Sequence, residues 1–322
     1  MQKKLVLSTA ALDNDSKLRL IKSLGDDWEY RIESNFGDDG LGSVEVLLLG
    51  SKRWLSKEKV DKMKNLHLIQ SFPAGLDHLD FSLIPPNVIV CANAGAFAEP
   101  IAEFVFGAVV NLGRNLYQHD KEIREGKFVQ SPPGLFLRGK TIGIIGTGGI
   151  GQSVARVAKC LGMITLGVNT TGSPILNFDR VSTINELNSL LHESDVLVVA
   201  VPLTSKTRDL LGKEEFNALK PDCIIVNVAR GAIINQKAFY EFLRDHQKAK
   251  AAIDVWWKYP KENEKFAQDY PINKLPNILL SPHYSDGVDE FAKLGSDNAV
   301  DNIIRYLNNE PLKGVARHED YV

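Results

Sequence analysis

Residues 141–151 read Thr-Ile-Gly-Ile-Ile-Gly-Thr-Gly-Gly-Ile-Gly, and this stretch decides the fold of the 322-residue chain. Its first five residues form an apolar run suited to a buried strand. Gly146, Gly148 and Gly151 then satisfy the spacing G-x-G-x-x-G, and residues 152–161 carry apolar side chains at helical spacing. Strand, glycine turn and helix in this order predict a βαβ unit whose helix N-terminus binds a pyrophosphate. The alternative is an ordinary glycine-rich turn.

Strand-like runs recur along the whole chain with helical stretches between them. The later runs are continuously apolar, which is typical of strands buried on both faces of a parallel sheet. The predicted strands are 4–8, 44–49, 66–72, 88–91, 141–145, 164–168, 196–201, 224–228, 251–255 and 278–280. Together with the intervening helices they predict an α/β protein built on parallel sheets.

Residues 97–114 are predicted to form a long helix that is apolar on almost every side. Pro100 lies in its first turn, where a missing N–H group is tolerated. We expect this helix to be buried, either between domains or between subunits. Residues 258–268 form a locally charged segment that we expect to be a surface loop.

Length and composition exclude several classes of protein. A chain of 322 residues exceeds the size of most single cores, so we expect two domains. Lys and Arg total 38 against 40 Asp and Glu, which argues against nucleic acid as a partner. No apolar run approaches the roughly 20 residues of a membrane span. Three scattered cysteines predict neither a disulfide framework nor a metal site. We therefore expect a soluble, cytoplasmic protein.

The end of the second strand of the βαβ unit bears on the choice of nucleotide. Folds that bind NAD usually place an Asp or Glu there, which binds the ribose 2′-hydroxyl and repels a 2′-phosphate. Here the strand ends in Asn169-Thr170-Thr171, with neither a carboxylate nor an adjacent arginine. The sequence leaves both NAD and NADP open, with a slight expected preference for NADP.

Three later strands end in side chains of complementary chemistry. Arg230, Asp254 and His283 each follow a predicted strand, and ligands of open parallel sheets bind outside the carboxyl ends of the strands. An arginine fork suits a carboxylate, and an imidazole can donate a proton near neutral pH. Each residue alone would be an ordinary structural or surface side chain. Together they suit hydride transfer to a 2-oxo acid.

This ordered set resembles the D-isomer-specific 2-hydroxyacid dehydrogenase family, and the resemblance covers nearly the whole chain. Residues 70–77 are similar to the family's substrate loop, residues 101–103 and 112–114 to its domain-crossing helix, and residues 137–140 to the entry into its nucleotide domain. Several motifs in the right order are far more specific than the glycines alone.

The resemblance implies a particular architecture. A doubly wound parallel-sheet (Rossmann) nucleotide domain, residues 94–284, would be inserted in a smaller flavodoxin-like α/β domain formed by residues 1–93 and 285–322. The active site would lie in the cleft between these domains. A homodimer would form through the helix region 97–118.

The resemblance also implies roles for individual residues. Arg230 would bind the substrate carboxylate together with the backbone N–H groups of Ala74 and Gly75. His283 would be the acid/base, and Asp254 would orient the nicotinamide carboxamide. The remaining contacts with the cofactor would come from the turns that follow the strands, namely Gly146, Gly148, Gly149, Ile150, Gly151, Asn169, Thr170, Thr171, Val201, Pro202, Thr207, Val228, Ala229 and His283.

One position departs from the family pattern. Where the family has a glutamate that pairs with the histidine, this chain has Tyr259. A carboxylate beside an imidazole favours its charged form, whereas a neutral phenol can orient the ring but supplies no charge. We expect Tyr259 to be the partner of His283, and reduction to fall off at lower pH than in glutamate-bearing relatives. Glu262 and Glu264 are the alternative partners.

The sequence thus predicts an NAD(P)-dependent oxidoreductase that interconverts a small 2-oxo acid and its D-2-hydroxy acid. Glyoxylate, hydroxypyruvate and pyruvate are the candidate 2-oxo acids. One alternative is a formate- or phosphite-type dehydrogenase on the same scaffold. The other is a non-catalytic nucleotide-sensing regulator, which the missing glutamate would favour.

Overall fold

The computed structural model describes residues 3–35, 38–51 and 54–321. The chain divides into a discontinuous unit, Met1–Phe97 with Val288–Val322, and a continuous unit, Ala98–Gly287. The continuous unit is therefore an insertion in the discontinuous one. The predicted boundaries at 93 and 284 lie four and three residues before those of the structure, at 97 and 287.

The discontinuous unit contains a parallel sheet in the order β2-β1-β3-β4-β5, which is the flavodoxin-like order. Neighbouring residues of its strands face two different cores: Leu47 belongs to one and Leu48 to the other, as the alternation of a strand requires. Its strands and helices are β1 (Lys4–Ser8), α1 (Asn14–Ser23), β2 (Trp28–Ile32), β3 (Val44–Leu49), α2 (Lys57–Lys62), β4 (Leu68–Ser71), β5 (Ile89–Cys91) and, near the C-terminus, α9 (Phe291–Leu307).

The continuous unit contains a parallel sheet in the order β12-β11-β10-β9-β6-β7-β8. Its strands are β6 (Thr141–Ile145), β7 (Ile164–Asn169), β8 (Arg180–Thr183), β9 (Val196–Val199), β10 (Ile224–Asn227), β11 (Lys250–Ile253) and β12 (Ile278–Leu280). Its helices are α3 (Ala98–Gly113), α4 (Leu116–Arg124), α5 (Gly149–Cys160), α6 (Leu187–Glu193), α7 (Lys213–Ala218) and α8 (Gln236–Asp245).

The winding of this second sheet identifies where a ligand would bind. The chain runs outward from β6 to β7 and β8, and then returns to the other side of β6 with β9 and continues to β12. The direction of winding reverses between β6 and β9, and this switch point is the usual ligand crevice of open α/β sheets. The predicted doubly wound parallel sheet is confirmed.

All ten predicted strands are present, and the described residues add two that the sequence pattern did not predict. These are β2 and β8, and both are edge strands. Their sequences, Trp-Glu-Tyr-Arg-Ile and Arg-Val-Ser-Thr, are half polar and only partly buried. The continuous apolar run that marks a central strand is therefore absent from both.

The predicted long helix is α3, and the structure corrects its apolar description. One side packs against α5, β10 and β11, while Glu99, Glu103 and Arg114 lie on an exposed stripe. Apart from Val110 on α3 itself, the large apolar side chains that are exposed nearby lie on α4 and the segment after it, residues 116–136. Within the described ranges, no helix is long and apolar enough to cross a membrane.

Candidate active site

The carboxyl edge of the seven-stranded sheet gathers most of the predicted site residues. Because all its strand pairs are parallel, the carboxyl ends of the strands lie on one edge. In spatial order this edge carries His283 after β12, Asp254 after β11, Arg230 after β10, Val201 and Pro202 after β9, the glycine turn after β6 and Asn169 at the end of β7. The structure therefore brings these residues to a single edge.

Two glycines of the turn after β6 are required by the fold itself. Gly146 has a positive φ of 100°, and a Cβ atom there would lie 2.6 Å from the carbonyl oxygen of Ala200. A Cβ atom at Gly151 would lie 2.0 Å from the carbonyl oxygen of Gly146. These distances are impossible contacts, so the turn and the packing of α5 against β6 both depend on glycine.

Gly148 differs, since no protein atom lies within 4 Å of where its Cβ would be. It is the N-cap residue of α5 and provides no capping side chain, and both it and Gly149 are exposed. The first N–H groups of a helix have no partner within the helix and form its positive end. The open space and the N–H groups of residues 148–151 thus fit the pyrophosphate of a dinucleotide.

The end of β7 is an uncharged turn. The Asn169 side chain donates to Thr147 Oγ1 at 2.9 Å and accepts hydrogen bonds from the N–H groups of Thr171 and Gly172 at 2.9 and 2.6 Å. Thr170 and Thr171 are exposed. Asn169 therefore holds the loop closed from within, and the adjacent surface consists of hydroxyl groups.

Thr207, Val228 and Ala229 shape the neighbouring loops. Thr207 Oγ1 donates to the carbonyl oxygen of Pro202 at 2.6 Å and accepts from the N–H group of Thr204 at 2.8 Å, which closes the turn after β9. Val228 and Ala229 are buried. Their predicted contacts with the cofactor stay predictions.

Arg230 is half-buried in the loop after β10. Its Nη1 donates to the carbonyl oxygen of Ala229 at 2.8 Å, and its own carbonyl oxygen accepts from Asn227 Nδ2 at 3.1 Å. A Cβ atom at the following residue, Gly231, would lie 2.3 Å from the backbone of Trp256. The backbone of Arg230 is thus locked against the segment that follows β11.

Asp254 is fully buried at the end of β11. Its carboxylate accepts hydrogen bonds from Ser281 Oγ at 2.6 Å and from the N–H groups of Tyr284 and Ser285 at 2.7 and 3.0 Å. Asp254 therefore fixes the turn that carries His283. The sequence did not predict this positioning role, and the predicted contact of Asp254 with a nicotinamide carboxamide stays a prediction.

His283 is exposed at the carboxyl end of β12 and has a positive φ of 63°. The rings of His283 and Tyr259 have their centroids 5.3 Å apart and are tilted by 37°. The Tyr259 hydroxyl accepts a hydrogen bond from the N–H group of Trp256 at 3.2 Å. The tyrosine at the position of the family's glutamate thus lies beside the histidine.

Asp286 is a carboxylate that no pattern in the sequence singled out. It is half-buried three residues after His283. Burial raises the pKa of Asp286, its own N–H group and the charges of His283 and Arg230 lower it in part, and the charge of Asp254 raises it further. The signal in the sequence that could have identified Asp286 is its position three residues after His283, the candidate proton donor.

Ala74 and Gly75 belong to the other unit, in the loop that follows β4. Ala74 is exposed and Gly75 is half-buried. The carbonyl oxygen of the preceding residue, Pro73, accepts hydrogen bonds from Ser71 Oγ at 2.9 Å and from the N–H group of Asn93 at 3.3 Å. The start of the loop is thus held in place, and the predicted role of Ala74 and Gly75 in binding a carboxylate stays a prediction.

The doubly wound sheet, its switch point and the glycine turn define a dinucleotide-binding α/β protein. Residues 106–285 match the sequence model of the D-isomer specific 2-hydroxyacid dehydrogenase family, NAD binding domain. The chain belongs to this family, and the nucleotide of the inserted unit is NAD or NADP.

Comparison with individual proteins gives relatives of two kinds. The chain is 30% identical over 275 residues to a D-3-phosphoglycerate dehydrogenase of Methanocaldococcus jannaschii, a match that covers 84% of this chain and 51% of that protein, so the chain spans about half the length of this relative. It is 30% identical to a glyoxylate reductase of Korarchaeum cryptofilum, over 80% of this chain and 77% of that one.

A solved structure matches over the full length of both chains. It is the crystal structure of a Pyrobaculum aerophilum protein named "putative formate dehydrogenase", with a TM-score of 0.84 and 27% identity. The match supports the fold of both units.

Proposed function

We propose that the protein is an NAD(P)-dependent oxidoreductase that interconverts a small 2-oxo acid, with glyoxylate as the first candidate, and its D-2-hydroxy acid. The observation that carries the proposal is the arrangement of Arg230, Asp254 and His283 after three adjacent strands, on the same edge as the glycine turn. Glyoxylate reductases are also relatives of comparable length, such as the one of Korarchaeum cryptofilum.

In this proposal, each residue at this edge has a different role in the reaction. When bound, NAD(P) would supply the hydride to C2 of the substrate in reduction and accept it in oxidation. Arg230 binds the substrate carboxylate through its guanidinium fork, which fixes the orientation of C2. His283 donates a proton to the C2 oxygen during reduction and accepts it during oxidation. Asp254 holds the turn that presents His283.

Two other functions make different demands on these residues. Oxidation of formate involves no C2 oxygen, so it needs no proton donor at His283. The name of the Pyrobaculum aerophilum protein is nevertheless a reason to assay this activity. A nucleotide-sensing regulator would need neither Arg230 nor His283. The presence of both residues at one edge favours the 2-oxo acid reductase.

One panel of assays separates the three functions. Oxidation of NADH and NADPH is measured with glyoxylate, hydroxypyruvate and pyruvate, and reduction of NAD and NADP with formate and phosphite. We expect turnover with at least one 2-oxo acid. Turnover with formate or phosphite alone would contradict the proposal. So would tight nucleotide binding without any turnover, which would favour the regulator.

We also propose a preference for NADP, because the turn at Asn169 carries no carboxylate to repel a 2′-phosphate. The exposed hydroxyl groups of Thr170 and Thr171 offer it hydrogen-bond donors. The ratio of kcat/KM for NADPH to that for NADH measures this preference. A ratio that favours NADH tenfold would overturn it.

We further propose a homodimer through the helix region 97–118, extended along α4 and the segment after it. Large apolar side chains are exposed there, with Tyr117 at 65%, Phe128 at 80% and Phe136 at 71%, and such patches mark interaction surfaces. Sedimentation analysis of the parent and of a Phe128→Asp/Phe136→Asp variant tests this. We expect a dimer that becomes a monomer; a monomeric parent would refute the interface.

We also propose that the protein is located in the cytoplasm. Cys91, Cys160 and Cys223 are all free thiols, which suits a reducing compartment. Cell fractionation with an antibody against the protein tests the location, and recovery from an oxidising compartment would contradict it.

A further inference from the structure

A carboxylate beside an imidazole stabilises its protonated form, and Tyr259, whose ring lies beside that of His283, carries no such charge. The nearby carboxylates differ in whether they can serve as a charge partner of His283. That of Asp254 is buried and accepts three hydrogen bonds within the turn. Glu262 and Glu264 are exposed in the loop after β11, where Glu264 accepts from the N–H group of Lys261 at 3.2 Å. Asp286 lies in the turn of His283 itself.

The backbone around Asp286 is fixed on both sides. Before Asp286, the N–H groups of Tyr284 and Ser285 donate hydrogen bonds to the Asp254 carboxylate. After it, the N–H group of Gly287 donates to the carbonyl oxygen of Tyr284 at 3.0 Å, and a Cβ atom at Gly287 would lie 2.3 Å from the Tyr284 ring. Asp286 therefore extends from a rigid turn.

The carboxylate of Asp286 is half-buried, and among the described residues it forms no ion pair or hydrogen bond with another side chain. A carboxylate removed from water is unfavourable without compensation. The charges of His283 and Arg230 lower the pKa of Asp286 in part, and that of Asp254 raises it. Two of these are cationic, and they are the proposed proton donor and the proposed carboxylate-binding group.

We propose that Asp286 is a positioning residue that supplies the negative charge for His283, in place of the glutamate that Tyr259 replaces. It acts through space on the imidazolium, stabilises the protonated form before reduction, and shares its charge with Arg230 when no substrate carboxylate is bound. This role deepens the proposed function and rests on it for its catalytic consequence, whereas the effect on His283 is independent of turnover.

The direct test is an NMR titration of the histidine side chains in the nucleotide-free protein, with the His283 signal assigned by its loss in His283→Asn. We expect Asp286→Asn to lower the pKa of His283 by about half a unit or more, because an opposite charge is removed, and Asp286→Glu to keep it near that of the parent. The matched control is Asp222→Asn, which removes the charge of an exposed acid before β10, at the opposite edge of the sheet.

The catalytic test is the pH profile of 2-oxo acid reduction. In Asp286→Asn the alkaline limb of kcat/KM should move to lower pH by about as much as the pKa of His283, with the plateau at low pH nearly unchanged. Adding Tyr259→Glu to this variant should move the limb back upward, since the charge then comes from the family's position.

The outcomes separate the two proposals. An unchanged titration of His283 in Asp286→Asn would overturn the role of Asp286, whatever the enzyme reduces. Equal effects of Asp286→Asn and Asp286→Glu would also overturn it, because a role in holding the turn depends on shape rather than charge. A lowered pKa of His283 without any turnover would support the charge pair and refute the proposed function.

Discussion

The carboxyl edge of the seven-stranded sheet has two halves of different chemistry. The nucleotide half, after β9, β6 and β7, consists of glycine backbone, the open N-terminus of α5 and the uncharged turn at Asn169. The proposed acid–base half, after β10, β11 and β12, carries Arg230, Asp254, His283 and Asp286. The same arrangement of parallel strands supports both halves.

One sheet edge can thus meet two kinds of structural requirement, one steric and one electrostatic. In the nucleotide half the requirements are steric, because a single Cβ atom decides whether the turn forms or a phosphate can approach. In the proposed acid–base half they are electrostatic, because charged side chains follow separate strands. The buried hydrogen bonds that Asp254 accepts hold one of these segments, the turn that carries His283. Substitutions in the two halves should therefore affect different measured quantities.

The largest expected effect comes from His283. His283→Asn should lower kcat for reduction by about 10²- to 10⁴-fold, the usual contribution of a general acid, while the Kd for NADPH stays near that of the parent. Asparagine suits the positive φ of this position. His192→Asn, an exposed histidine on α6, is the control. A loss of nucleotide binding as large as the loss of kcat would show that the two halves are not separable.

Arg230→Lys should have the next largest effect, mainly on KM. The charge remains, but the bidentate fork is lost, and we expect the KM for the 2-oxo acid to rise by about 10- to 100-fold. Steady-state kinetics measure the change, with Arg244→Lys as the control, since Arg244 is paired with Asp245 at the surface. A KM near that of the parent would mean that Arg230 does not bind the carboxylate.

A pair of glycine variants tests the steric half. Gly148→Ala should leave the melting temperature unchanged and weaken NADPH binding by about tenfold, because its methyl group enters open space that we assign to the pyrophosphate. Gly151→Ala should destabilise the fold by about 1–3 kcal/mol through overpacking. Calorimetry and nucleotide titration separate the two effects. Equal losses of stability would refute the distinction between these glycines.

Asn169→Asp should change cofactor preference without disturbing the turn. The carboxylate can still accept from the N–H groups of Thr171 and Gly172, and the Thr147 hydroxyl can reverse its direction and donate. The added charge repels a 2′-phosphate, so the ratio of kcat/KM for NADPH to that for NADH should fall about tenfold. Asn169→Ser is the uncharged comparison. A ratio that does not fall would place the adenosine ribose elsewhere.

The nucleotide half was the more predictable one from sequence, for a physical reason. Its signal is local: Gly146, Gly148 and Gly151 occupy one turn between a strand and a helix. The central strands were predictable for a similar reason, because burial on both faces requires apolar residues without interruption. Of the four edge strands, β2 and β8 were missed, because their half-polar sequences lack such a run.

The acid–base half was predicted as a set of residues, but not as a network. Arg230, Asp254 and His283 were each expected at a strand end, and Tyr259 was expected near His283. The hydrogen bonds that Asp254 accepts from the turn of His283 join segments 30 residues apart, and they depend on the pairing of β11 with β12. Asp286 was overlooked because its half-burial in the turn of His283 is not visible in the sequence.

The smallest expected effect is on stability. It shows whether the carboxylate of Asp286 serves the proposed reaction or stabilises the fold. Burial raises the folded-state pKa of Asp286 above its usual value of 3.8, despite the attraction of His283 and Arg230. A raised carboxyl pKa means that stability is greatest at low pH and is lost as the pH rises through the folded-state pKa. Asp286→Asn removes this loss, so we expect its melting temperature to exceed that of the parent by about a degree or more at pH 8 and by less at pH 4. Thermal unfolding monitored by circular dichroism at both pH values, with Asp222→Asn alongside, measures the difference. If Asp286→Asn melted below the parent at pH 8, its carboxylate would stabilise the turn, and Asp286 would belong with Asp254 to the structural framework of the site.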